Sequence, residues 1–282
     1  LRSVGFADPA LDGAGPMDML VGLRAADEAG LDKAAADLDR LLLAGAGSSA
    51  ATSIRFGGLD EALAAQPESN LVSVAVPGAY AAFVAHQALD AGRHVFLFSN
   101  NVELEDEIEL KERAVKQGLL LMGPDCGTAI LAGVGLGFAN RVHRGAVGMV
   151  GASGTGLQEM SCLLHNAGLG ISQAIGTGSR DLAARVDGRM SEFGLRLLAA
   201  DADSRVLVLV CKHPDEQVAR RMHEILSGLG KPVVVRYLGT NARPSADGVR
   251  YAESLDEAAA MVLEALDHPG AKEDFDAQAA AD

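Results

Sequence analysis

The chain has 282 residues, of which 49% are hydrophobic and 22% charged, a balance typical of a globular protein long enough for two domains. Its formal net charge of −14 argues against nucleic acid and anionic membrane surfaces as partners. No apolar run approaches the ~20 residues of a membrane span, and no signal peptide is recognised. The three cysteines lack metal-ligand spacing, so we expect a cytoplasmic protein with reduced thiols and no bound metal.

The first half of the chain predicts an α/β domain over residues 1–130. In its weakly patterned beginning, 17–28 and 33–43 are predicted helices and 45–49 a flexible loop. Strands and helices then alternate, which predicts parallel strands joined by right-handed crossovers. The predicted strands are 71–76, 93–98 and 119–122, and the predicted helices are 79–90 and 103–116.

The second half repeats this alternation and predicts a second open parallel sheet over residues 131–268. Residues 131–145 are glycine-rich and are predicted to form the passage between the two domains, and 269–282 are predicted to form a disordered tail. The predicted strands are 146–150, 171–175, 205–211 and 232–236, and the predicted helices are 155–167, 191–200, 214–228 and 254–266. The fold class is therefore α/β with two consecutive open parallel sheets.

Two glycine turns follow neighbouring strands of the second sheet. GASGTG (151–156) leads into a helix for which Ser153 or Thr155 could be the N-cap, and GTGSRD (176–181) adds the guanidinium of Arg180. A helix N-terminus favours an anion, and an arginine can hold phosphate or carboxylate by two bonds. Such turns also arise for steric reasons alone. Two at adjacent strand ends favour a ligand site, although the spacing fits neither a Walker loop nor a GxGxxG fingerprint.

Further candidates lie at strand ends and in turns, where ligands of open parallel sheets bind. Lys212 could neutralise developing charge or be a solvated strand end, and His213 could be an acid or base or an exposed histidine. Arg180 and Asp181 are predicted at a helix start, where the alternative is a surface ion pair and an N-cap. Cys126 could be a nucleophile or a buried thiol, and Asn100 and Asn101 could bind substrate or shape a turn.

Several segments resemble FdrA proteins, which belong to the superfamily of the succinyl-CoA synthetase α subunit. They are GLLLMGPDCGTAI (118–130), GLGFAN (135–140), AVGMVGASGTGLQE (146–159), ISQAIGTGSRDL (171–182) and SLDEAA (254–259), with VELEDEIELKERA (102–114). The resemblance extends from about residue 70 to residue 266. It implies a Rossmann-like domain of the CoA-binding type followed by a flavodoxin-like ligase domain.

The resemblance also assigns roles by position. Ser153, Gly154, Thr155 and Gly156 match the turn whose helix faces a phosphate in the synthetases, and the turn with Gly178 and Ser179 lies beside it. The segment with Asp125 and Cys126 matches a GPN segment, and Asn100 and Asn101 match the loop after the preceding strand. We therefore assign phosphate binding to the first two groups and substrate binding to the last two. Catalysis is assigned to Arg180, Lys212 and His213 from their charge, acid–base chemistry and position in the chain.

Two departures from the synthetase pattern shape the functional hypothesis. The glycine-rich CoA-phosphate loop has no counterpart, which argues against CoA as a cofactor, and residues 233–248 contain no phosphate-carrying histidine. A phosphate that belongs to the substrate suits such a site. Members of the FdrA family are linked to purine and allantoin breakdown through an oxamate carbamoyltransferase.

The resemblance therefore implies a subunit of such an enzyme, acting with other subunits in an oligomer on oxalurate, phosphate and carbamoyl phosphate. The alternatives are an acyl-CoA ligase subunit, which would bind CoA, and a non-catalytic scaffold that binds a metabolite.

Overall fold

The protein is described by a computed structural model, which covers residues 6, 8, 9, 13, 20–43, 56–241 and 244–267. The chain divides into two compact units, residues 1–56 and 57–282. The predicted loop at 45–49 and the predicted tail at 269–282 lie outside the described residues. None of the helices in the described ranges has the length and apolar character that crossing a membrane requires.

The first unit contains helix α1, Glu28–Leu43, which confirms the helix predicted at 33–43 and extends it towards the N-terminus. The helix predicted at 17–28 is wrong over residues 20–27, which are not helical. The side chain of Asp27 accepts a hydrogen bond from the backbone N–H of Gly30 at 2.8 Å. This contact of the N-cap type satisfies a free amide and begins the helix at Glu28.

The second unit contains a small parallel sheet of three strands, β1 Leu71–Val74, β2 His94–Leu97 and β3 Leu121–Met122, in that spatial order. All three predicted strands are confirmed, each shorter than predicted. The helices of this part are α2 Leu59–Ala65, α3 Gly78–Asp90 and α4 Leu104–Gln117. Acidic residues stand in the first turn of α4 and Lys116 in its last, as the helix dipole favours.

The larger sheet has seven strands in the order β10-β9-β8-β6-β7-β4-β5. The strands are β4 Thr128–Leu131, β5 Val134–Gly137, β6 Arg144–Ala152, β7 Ile171–Gly176, β8 Val206–Lys212, β9 Val233–Leu238 and β10 Val249–Tyr251. Its helices are α5 Gly154–Asn166, α6 Arg189–Ala200, α7 Glu216–Ser227 and α8 Leu255–Ala265. Strands β6 to β10 are mutually parallel and have the strand order of flavodoxin-like sheets, which confirms the predicted fold class.

The sheet differs from the prediction at both edges. Strand β10 extends one edge, and an antiparallel hairpin of β4 and β5 extends the other by pairing β4 with β7. The hairpin turns at Ala132 and Gly133, which both have positive φ, as two-residue hairpin loops require. The glycines that suggested a passage between domains thus belong in part to an edge strand. The boundary at residue 130 stays a prediction.

The central strands of the larger sheet are buried on both faces, and their side chains alternate between two cores. Along β8, Val206, Val208 and Val210 pack in one core with residues of α5 and α8. Leu207, Leu209 and Cys211 face the other core, with residues of α6 and α7. This period of two explains why β8 appears in the sequence as a continuous apolar run.

Candidate functional site

A cavity of about 230 Å³ lies at the carboxyl end of the larger sheet, where β6 and β8 end. These two strands flank the point at which the chain changes direction across a flavodoxin-like sheet, which is where such folds bind ligands. The cavity brings together six of the predicted site residues that come from strand ends and glycine turns: Ser153, Gly154, Thr155, Gly178, Ser179 and Lys212.

The start of α5 forms one wall of the cavity. Ser153 is the N-cap, and its Oγ accepts a hydrogen bond from the N–H of Gly156 at 3.2 Å. The amides of Gly154 and Thr155 also belong to the first turn, where no intrahelical acceptor exists. These two amides and the positive end of the helix dipole therefore provide the donors and the potential that an anion needs.

The two glycines of this turn have different roles. A Cβ at Gly156 would lie 2.6 Å from Val210 Cγ1, so this glycine lets α5 pack closely on β8. A Cβ at Gly154 would meet only Thr128 Oγ1, at 3.7 Å. Gly154 lines the cavity, whereas Gly156, predicted to bind phosphate, is not among the residues that line it.

Lys212 supplies positive charge to the cavity. It is the last residue of β8 and is exposed, whereas the six residues before it in the strand are buried. Among the described residues that line the cavity, Lys212 and Asp125 carry formal charge. His213 is also exposed but does not line the cavity, so the structure brings together the predicted lysine and not the predicted histidine.

The second glycine turn forms another part of the cavity wall. The N–H of Thr177 donates to Gly151 O at 2.8 Å and so joins the two glycine turns. Gly178 has a φ of +85°, and a Cβ there would lie 2.2 Å from Pro124 O. Ser179 Oγ donates to Asp125 Oδ2 at 2.9 Å. These contacts bring the predicted substrate-binding residue Asp125 to the predicted phosphate site.

Arg180 and Asp181 are placed differently from the prediction. Helix α6 begins at Arg189, so neither residue stands at a helix start. Arg180 does not line the cavity, because its Nε donates to Glu107 Oε2 at 2.8 Å and its Nη2 to Val102 O at 2.7 Å. Asp181 is fully buried. The sequence analysis did not consider the acidic residues of α4 as partners of Arg180. Glu107 on that helix binds the guanidinium of Arg180.

Cys126 lines the cavity as a buried thiol. Burial raises the pKa of Cys126 to about 12, and its Sγ lies 3.4 Å from Gly176 O. Because the thiolate is the nucleophilic form, this environment favours the structural alternative over the nucleophile.

Cysteine modification tests this assignment. At pH 8 we expect the native protein to react with a thiol reagent at Cys162, which is half-buried, and not at Cys126 or Cys211. Burial raises the pKa of both unreactive thiols, so almost none of either is ionised at this pH. Peptide mapping after a short exposure identifies the modified residue, and unfolded protein, in which all three should react, is the control. Rapid labelling of native Cys126 would contradict the assignment.

A second cavity, of about 510 Å³, adjoins the first. It lies at the carboxyl ends of β1 and β2, and Asn100, Phe98 and Pro77 are among the residues that line it. Asp125, Gly127 and Phe138 line both cavities. Asn100 thus faces the second cavity, whereas Asn101 lines neither.

Other cavity residues escaped the sequence analysis. Gln158 Nε2 donates to Thr128 Oγ1 at 2.7 Å, and both residues line the first cavity, the candidate anion cavity. Phe138 lines both cavities. Thr128 is in β4 and Phe138 directly follows β5, in or beside the stretch predicted as a passage between domains. Gln158 lies one turn beyond Gly154 on α5, and that helical spacing was the available signal. In the described ranges, no three His, Cys, Asp or Glu side chains are grouped to hold a metal ion.

Comparison with known proteins identifies relatives of this chain. YahF of Escherichia coli (strain K12), named as an uncharacterized protein, is 39% identical over 260 residues, which make up 92% of this chain and 50% of YahF. The α subunit of ADP-forming succinate–CoA ligase from Aquifex aeolicus (strain VF5) is 26% identical over 182 residues, 62% of this chain and 58% of that protein. The chain spans about half the length of these curated relatives. No family model matches the sequence.

Solved structures share the fold. ATP citrate lyase from Methanothrix soehngenii, in complex with citrate and coenzyme A, matches with a TM-score of 0.58 and 18% identity over 75% of this chain and 37% of that chain. At this identity the likeness establishes the fold alone. Fold and relatives together define an α/β protein of the succinyl-CoA synthetase α-subunit type. Within that class the chain belongs to the FdrA-like family, which confirms the resemblance of its motifs.

Proposed function

We propose that this chain is an FdrA-type subunit of a carbamoyltransferase that binds phosphate and carbamoyl phosphate at the start of α5. The observation that carries the proposal is the convergence of two glycine turns and Lys212 on one cavity. Free amides, a helix dipole and one ammonium group suit a small phosphate-bearing ligand. Other chains complete the enzyme in this proposal, because the Aquifex relative is itself a subunit of a ligase.

The proposed chemistry needs few groups from the protein. A phosphate oxygen attacks the ureido carbon of oxalurate, and the bond from that carbon to the nitrogen of oxamate breaks. The nitrogen takes the proton that the phosphate loses, and oxamate and carbamoyl phosphate leave. The amides of Gly154 and Thr155 and the ammonium of Lys212 would stabilise the negative charge on phosphate and on the tetrahedral intermediate.

The absence of a histidine relay supports phosphate as a substrate. The sequence from 233 to 248, which corresponds to the phosphohistidine loop, contains no histidine. Among the described residues that line the anion cavity there is none either. A cavity of about 230 Å³ with no histidine among its described lining residues suits free phosphate or carbamoyl phosphate better than a relay through phosphohistidine.

The second cavity favours one alternative, an acyl-CoA ligase subunit. Its volume of about 510 Å³ and its three residues shared with the anion cavity would let a larger substrate reach the phosphate. The Aquifex relative is named as a CoA ligase subunit. In this alternative CoA would occupy the second cavity despite the missing glycine-rich loop.

Calorimetric titration of the chain with phosphate, carbamoyl phosphate and CoA tests the proposal. We expect the first two ligands to bind and to compete with each other, because both would occupy the amides of the α5 N-terminus. CoA should give no heat. Tight CoA binding would favour the ligase instead. If none of the three ligands gave a heat of binding, both enzyme proposals would be contradicted and the scaffold alternative would remain.

A further inference from the structure

A buried lysine joins the smaller sheet's last helix to the loop that lines the anion cavity. Lys111 lies on α4 and is 0% exposed. Its Nζ donates to Glu107 Oε1 at 2.7 Å, to Asp181 Oδ1 at 2.8 Å and to Thr177 O at 2.9 Å. All three protons of the ammonium group therefore have acceptors, two of which belong to the segment after β7.

The two carboxylates bound to Lys111 have further partners. Glu107 Oε2 accepts from Arg180 Nε at 2.8 Å. Asp181 Oδ2 accepts from the N–H of Ser191 at 2.8 Å and from its Oγ at 2.6 Å. Two cations thus face two carboxylates, and their hydrogen bonds compensate for the removal of these charges from water.

This network reaches the cavity through two backbone positions. Lys111 binds the carbonyl of Thr177 and the side chain of Asp181, which bracket Gly178 and Ser179 in the sequence. Gly178 and Ser179 line the cavity. A fixed position at each end restricts the short segment between them. The geometry of the cavity wall at Gly178 and Ser179 therefore depends on α4, a helix that connects two strands of the smaller sheet.

We propose that Lys111 is a positioning residue of the anion cavity, which holds Gly178 and Ser179 in the arrangement that binds phosphate. The inference rests on the proposed function, because it takes this cavity as the phosphate site. A buried ion network is a weak source of stability compared with an apolar core of the same volume. The network instead orients the segment after β7, because it connects that segment to α4.

The double variant Lys111→Met/Asp181→Asn removes the link between α4 and the loop. It leaves the pair of Arg180 and Glu107 balanced, and the new amide oxygen can still accept from Ser191. We expect a folded protein that binds inorganic phosphate about ten-fold more weakly, because a loosened wall loses alignment with its ligand. Backbone amides of 177–181 should also exchange hydrogen faster than in the wild type.

The matched control removes an exposed ion pair between the same two segments. Arg185 Nη2 lies 2.9 Å from Glu105 Oε1, and both side chains are at least 60% exposed. The variant Arg185→Met/Glu105→Gln should leave phosphate affinity and loop exchange unchanged. If Lys111 had only a structural role, the double variant would have a lower unfolding temperature, but its phosphate affinity and the hydrogen exchange of 177–181 in the folded state would not change.

The outcomes separate this inference from the function beneath it. If the wild type binds phosphate and the folded double variant binds it with the same affinity, the positioning role is overturned. If the wild type binds no phosphate, the proposed function fails, and faster exchange confined to 177–181 still supports the positioning role, whereas unchanged exchange overturns it. If the double variant does not fold, Asp181→Asn alone provides the same two readouts, with smaller expected changes.

Discussion

Gly178→Ala should lower the free energy of unfolding by about 3–4 kcal/mol. Gly178 has a φ of +85°, a conformation that costs an alanine about 1–2 kcal/mol. Its new Cβ would also lie 2.2 Å from Pro124 O and 3.1 Å from Gly123, both backbone, so neither neighbour can move aside cheaply. Urea unfolding at equilibrium measures the loss, and the displaced turn should also weaken phosphate binding.

Gly239→Ala is the matched control for this substitution. Gly239 has a φ of +80°, close to that of Gly178, but no heavy atom lies within 4 Å of its added Cβ. The control should therefore lose only the cost of the backbone conformation, about 1–2 kcal/mol. Equal losses in the two variants would mean that the contact between the second glycine turn and the Gly123–Pro124 segment does not exist in solution.

Lys212→Gln should weaken the binding of phosphate and carbamoyl phosphate by about ten- to a hundred-fold. A hydrogen bond to a charged group contributes about 1.5–3 kcal/mol, and each 1.4 kcal/mol is a factor of ten in affinity. Lys212 is the cationic member of the described cavity lining in a chain of formal net charge −14. Titration calorimetry of the variant gives the ratio, and added salt should reduce the difference.

Lys116→Gln is the control for charge. Lys116 is exposed in the last turn of α4 and is not among the residues that line the cavity. The substitution changes net charge by the same amount as Lys212→Gln and should leave both affinities within about two-fold of the wild type. An equal loss in the two variants would show that Lys212 acts only through net charge and does not contact the ligand.

The candidate anion site illustrates how far local sequence can predict which residues meet in one cavity. The turn at Ser153–Thr155 was predicted because a strand, a glycine turn and a capped helix are consecutive, so their geometry depends on neighbouring residues. Lys212 was predicted because the carboxyl ends of parallel strands share one edge. This reasoning did not work for Arg180, because its Nε donates a hydrogen bond to Glu107, a residue 73 positions earlier in the chain. No pattern around 176–181 contains that partner.

The sequence by itself determined the alternation of strands and helices, the parallel sheets, the family and the glycine turn at the start of α5. Each depends on hydrophobic period or on contiguous motifs. Only the tertiary structure decided that the hairpin of β4 and β5 completes the larger sheet, that Asp125 and Phe138 line both cavities, and that Lys111 is buried between carboxylates. These features depend on pairs far apart in the chain, and local patterns do not specify which distant side chain compensates a buried charge.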